Sequence, residues 1–93
     1  MTNRKIKLKI IPFKPEKAVF YTFRTRSSED RMKPYMEFDG NLDYVCGLCE
    51  HVLVKSTAPV AVTGQLIVFE CPNCSVLNQA PTSMAEIWRG EKR

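Results

Sequence analysis

The sequence predicts a small, mainly β fold: two β-hairpins that each carry a Cys-x-x-Cys turn, an N-terminal β-hairpin before them and a short C-terminal helix after them. Three observations predict it. The four cysteines fall in two pairs, Cys46-Gly47-Leu48-Cys49 and Cys71-Pro72-Asn73-Cys74, with strand-like residues on both sides of each pair. Residues 4–11 alternate base with apolar residue at a period of two. Residues 83–90 place three apolar side chains on one helical face between a capping serine and a terminating glycine.

Taken in order, the first strand spans residues 4–11, with Ile6, Leu8 and Ile10 on one face and Lys5, Lys7 and Lys9 on the other. Pro12 and Pro15 end it, because neither can donate to a ladder. A second strand is expected over residues 18–25. Val19, Tyr21 and Phe23 share one of its faces, and Phe20, Thr22 and Arg24 the other. The two strands suggest a hairpin looped through residues 13–17. Residues 27–40 have the poorest apolar period and read as a connector, with Tyr35, Met36 and Phe38 pinned to the core. Residues 42–45 enter the first Cys-x-x-Cys turn and residues 51–55 leave it. Residues 65–70, the most β-prone run, enter the second turn, and residues 75–78 leave it. Ser83 and Glu86 match a capping box, and Met84, Ile87 and Trp88 form the apolar face of the helix that follows. The chain thus divides into a basic N-terminal β arm (1–26), a connector (27–40), a hairpin pair (41–80) and a short helix with its tail (81–93), expected to pack as one compact domain.

A chain of 93 residues buries a modest share of its surface and calls for an added staple. Four cysteines supply either disulfides or a metal site. No signal peptide is visible in residues 1–12, and no apolar run is long enough to span a bilayer. A reducing cytoplasm is therefore expected, and there paired Cys-x-x-Cys motifs read as metal ligands. Zinc accepts four thiolates at tetrahedral corners, and two Cys-x-x-Cys turns present two sulfurs each. Cys46, Cys49, Cys71 and Cys74 are accordingly the candidate ligands of one structural zinc ion, with no membrane and no small-molecule substrate implied. His51 is read as a strand residue, because four cysteines already complete the coordination number. A thiol redox enzyme normally places its Cys-x-x-Cys at the start of a helix, and strands follow both pairs here. No catalytic triad spacing or glycine-rich phosphate loop is present, so no enzyme is expected.

The two pairs on their hairpins resemble the zinc ribbons of the rubredoxin-like fold group. The resemblance covers residues 42–78 and implies a four-cysteine zinc site in a small β fold. Members of that group contact nucleic acid, dock proteins or act as scaffolds, so the resemblance does not choose a function. Such turns often carry glycine after the second cysteine, where a positive φ is needed; Glu50 and Ser75 stand there instead. The segments around Cys46 and Cys71 also resemble the iron-binding turns of rubredoxin itself, which makes an iron electron carrier the alternative.

The formal net charge of +4 is unevenly spread. Residues 1–26 hold eight bases and one acid, residues 27–60 three bases and six acids, and residues 61–93 three of each. Bases interleaved with aromatics can hold phosphates and stack nucleobases, which makes Lys5, Lys7, Lys9, Arg24 and Arg26, among Phe13, Phe20, Tyr21 and Phe23, candidate nucleic-acid-binding residues. The same lysines also suit a solvated sheet face that guards an edge. Trp88 is the candidate anchor for a protein partner, or else a cover for the domain's own core. The sequence therefore predicts a non-enzymatic binding module for protein or nucleic acid.

Overall fold

The computed structural model describes residues 3–57 and 66–81. Eight strands and no helix run through them: β1 (Arg4–Lys7), β2 (Lys9–Ile11), β3 (Val19–Tyr21), β4 (Met36–Glu37), β5 (Leu42–Val45), β6 (Val52–Thr57), β7 (Ile67–Glu70) and β8 (Leu77–Gln79). They form two four-stranded sheets, in the orders β1-β5-β6-β4 and β2-β8-β7-β3. At the centre of each sheet lies an antiparallel hairpin, β5/β6 in the first and β7/β8 in the second. Each Cys-x-x-Cys turn is the connection within its hairpin, as the flanking β-branched and aromatic residues foretold. The expected helix over residues 83–90, including Trp88, lies outside the described residues.

The N-terminal hairpin does not form. The strand predicted over residues 4–11 splits at Leu8 and serves both sheets. β1 runs parallel to β5, with Ile6 opposite Tyr44, whereas β2 runs antiparallel to β8, with Ile10 opposite Asn78. Leu8 makes the transfer, its N–H donating to the Val45 carbonyl at 3.0 Å. The second predicted strand shortens to Val19–Tyr21 and adds in parallel to β7. The physical reason is the open edge. Each Cys-x-x-Cys hairpin alone leaves two rows of unpaired backbone groups, and these segments satisfy them, which a separate two-stranded hairpin would not. With β2 and β3 on opposite edges of one sheet, residues 12–18, stiffened by Pro12 and Pro15, cross from edge to edge.

The connector carries a strand the sequence did not suggest, β4, which pairs in parallel with β6. Tyr35 and Met36 pack against the core as expected, but Phe38 is 44% exposed. Just past the two-residue strand, its backbone N–H is spent on the Lys55 carbonyl while its ring stays in solvent.

The core gathers Ile6, Leu8, Leu42, Tyr44, Leu53, Val54, Ile67 and Phe69 with the buried Cys46 and Cys71. Tyr35 ties the two sheets together. Its N–H donates to the Leu53 carbonyl at 2.8 Å, its hydroxyl donates to the Glu70 carbonyl at 2.5 Å, and its ring stacks on Phe69, which also stacks on Tyr21. A bulge bends β6, where Ser56 takes a φ of 58° and its N–H donates to the Asp43 carboxylate at 3.0 Å.

Candidate metal centre

The two cysteine turns share one backbone pattern. In the first, Cys46 N–H donates to the His51 carbonyl and Glu50 N–H to the Cys46 carbonyl; in the second, Cys71 N–H donates to Val76 and Ser75 N–H to Cys71, all between 2.8 and 3.0 Å. Closing the turn this way forces the residue after the second cysteine into the left-handed region. Glu50 and Ser75 sit there at φ values of 64° and 65°. Glycine is the residue that adopts this conformation without strain. Its absence therefore changes the cost of the turn and not its shape.

The turns bring all four sulfurs together. The Sγ atoms of Cys46, Cys49, Cys71 and Cys74 lie within 4.8 Å of one another. The short separations, 3.5 Å each, run between turns: Cys46 to Cys74 and Cys49 to Cys71. No pair is bonded as a disulfide. Four sulfurs about 2.3 Å from one zinc ion would stand roughly 3.8 Å apart, so the cluster has the dimensions of a tetrahedral thiolate site. His51 is not part of it, and its buried Nε2 has no hydrogen-bond partner among the described residues.

The chain also supplies what such a site needs around it. Four thiolates and a dication carry a residual charge of −2, which N–H donors spread. Leu48 N–H reaches Cys46 Sγ at 3.4 Å, and the Asn78 side-chain amide reaches the same sulfur at 3.5 Å. Cys49 is opposed by desolvation, which raises its pKa, but hydrogen bonds from the Asn73 side chain and the His51 backbone outweigh it and hold the thiol at about 7. Burial pushes the Cys71 and Cys74 thiols up, against backbone hydrogen bonds that pull the other way. Comparison of the chain with protein families, curated proteins and solved structures yields no match. The geometry of the four cysteines therefore marks the candidate metal-binding site by itself.

Asn73 and Asn78 were not legible as site residues. Both come from the second hairpin, and both serve sulfurs of the first turn. Asn78 is fully buried, donates to Cys46 Sγ and to the Val76 carbonyl, and accepts Gly47 N–H on Oδ1 at 2.9 Å. The signal in the sequence was a carboxamide, poor in strands, inside an otherwise β-prone exit from the second turn. Gly47 has a tertiary role as well. A Cβ there would run into the Leu8 carbonyl and the Ile10 side chain, so glycine lets the N-terminal segment cross the turn closely.

The candidate bases separate into two sets. Arg24 forms a bidentate pair with Glu70 through Nε at 3.2 Å and Nη2 at 3.1 Å, and Thr22 Oγ1 donates to the same carboxylate at 2.6 Å. Arg26 donates to the Lys33 carbonyl at 2.9 Å and lies over the Tyr35 ring. Arg24 holds the loop that follows β3 against the second hairpin, and Arg26 holds it against the connector. Lys5 and Lys9 are exposed and Lys7 is half-buried.

Proposed function

We propose that this chain is a non-enzymatic zinc-ribbon protein of a reducing cytoplasm, in which Cys46, Cys49, Cys71 and Cys74 hold one structural Zn²⁺ and the two sheets serve as a binding module for protein or nucleic acid. The observation that carries the reading is the convergence of four sulfurs within 4.8 Å from two turns of matching hydrogen-bond pattern. Apparent binding energies of about 10–16 kcal/mol for structural zinc in small peptides equal or exceed the whole stability of a typical small domain. The ion is then part of the fold. No helix of the described residues is long and apolar enough to cross a membrane.

Native mass spectrometry of the purified protein tests the metal. One zinc ion per chain and a colourless solution are expected. One iron ion with visible thiolate-to-iron absorption would instead make the chain an electron carrier. Metal-free protein that keeps its β-structure while all four thiols react with an alkylating agent would overturn both.

A further inference from the structure

We propose that single-stranded nucleic acid binds over the second sheet where β2, β3 and the crossover 12–18 meet solvent, with bases stacked on Phe13 and Phe20 and phosphates held by Lys9, Lys14 and Lys17. The inference rests on the binding-module reading above and selects one of its two partner classes.

Two exposed aromatic side chains of the N-terminal segment lie here: Phe13 is 73% exposed and Phe20 38%. Isolated exposed apolar residues are ordinary, but two phenylalanines of one short segment left in water are not accounted for by packing. Bases surround them. Residues 4–17 hold six bases against the single acid Glu16, and Lys9, Lys14 and Lys17 are all exposed. Lys14 Nζ stands 6.0 Å from the centre of the Phe20 ring, at the outer limit of a cation–π contact, so it flanks the ring without covering it.

The sheet register sets the scale. Lys9 lies opposite Gln79, Gln79 opposite Val68, and Val68 opposite Phe20, so Lys9 and Phe20 end one cross-strand row. Three inter-strand steps place them about 14 Å apart, a span that a few nucleotides cover. The crossover carries Phe13 and Lys14 between these two edges. A stacking ring beside a phosphate-holding base, repeated along a groove, is the arrangement that binds single strands without regard to sequence. A protein partner fits less well, because the centres of protein interfaces are depleted in lysine. Arg24 and Arg26 are excluded from the site by their commitments to Glu70, Lys33 and Tyr35.

Fluorescence anisotropy of the zinc-loaded full chain with labelled oligothymidine about 20 nucleotides long tests the site. Binding is expected at low salt, with preference over a duplex of equal length. Phe13→Ala, on a ring that packs against little, should weaken it roughly fivefold or more, the loss expected for one stacked base. Lys9→Gln with Lys14→Gln should lower the slope of log affinity against log salt by about 0.7 for each phosphate contact removed. No binding by the zinc-loaded protein, equal affinity of the Phe13→Ala variant, or preference for the duplex would each overturn the proposal. Zinc content read by native mass spectrometry on the same sample keeps a failure of this site distinct from a failure of the metal reading.

Discussion

Asn78 and Cys46, 32 residues apart in the chain, are joined by an amide-to-sulfur hydrogen bond of 3.5 Å, while the same carboxamide accepts the N–H of Gly47 at 2.9 Å. One side chain of the second hairpin thereby fixes both a sulfur and the backbone of the first cysteine turn. Loss of such an outer partner typically lowers metal affinity about 10–100-fold. Asn78→Ala should do so, measured by competition with a chromophoric zinc chelator. Asn78→Asp should lose at least as much. It keeps an acceptor for Gly47 but replaces the donor with a buried carboxylate facing a thiolate.

Glycine substitutions in the two turns should act in opposite senses. Ser75→Gly relieves a left-handed residue and should stabilise the zinc-loaded protein by about 1 kcal/mol. Gly47→Ala drives a methyl group into the Leu8 carbonyl and should destabilise it, by the 1–3 kcal/mol typical of overpacking. Thermal melts of the two loaded variants beside the parent decide this. A lower melting temperature for Ser75→Gly would show that the positive φ carries no strain.

Metal uptake should be tied to pH. Cysteine thiols are ordinarily protonated at neutral pH in the metal-free chain, and burial of Cys71 and Cys74 raises theirs further, so an incoming ion must displace those protons. Affinity should therefore rise with pH across the neutral range and fall on acidification. Loading at pH 7 in weak buffer should release at least the two protons of Cys71 and Cys74, read with an indicator dye.

Stability should also fall at alkaline pH. Desolvation pushes Tyr35 and Tyr44 up to about 12 from a usual value of 10.0. The folded state holds these protons more tightly than the unfolded state. Their contribution is thus fully present below pH 10 and is lost as pH rises through about 12. Denaturant titrations between pH 9 and 12 should show the decline, and Tyr35→Phe should reduce its steepness while removing the hydrogen bond to Glu70.

Arg24→Ala should destabilise the fold by about 1–2 kcal/mol, because it strips a buried carboxylate of its charged partner, although the arginine itself is largely in solvent. Equilibrium unfolding of the zinc-loaded variant measures this. An unchanged midpoint would return Arg24 to the set of bases available for a partner.

The four clustered cysteines and the turns that present them could be read from the chain alone. Cysteine spacing is a local property, and so is the left-handed residue that closes each turn, even where Glu50 and Ser75 replace glycine. The two central hairpins were legible for the same reason, since a short turn between β-prone runs leaves one pairing. Where the remaining strands went was settled by long-range pairing. The period-two run over residues 4–11 marks Ile6 and Leu8 for burial but not the edges they join, and open edges on two hairpins drew its halves to different sheets, leaving Ile10 42% exposed at an outer edge. The roles of Asn78, Gly47 and Arg24 belong to that same level. Each depends on a contact with a residue distant in the chain, Cys46, Leu8 or Glu70, and no local pattern encodes a meeting that packing alone arranges.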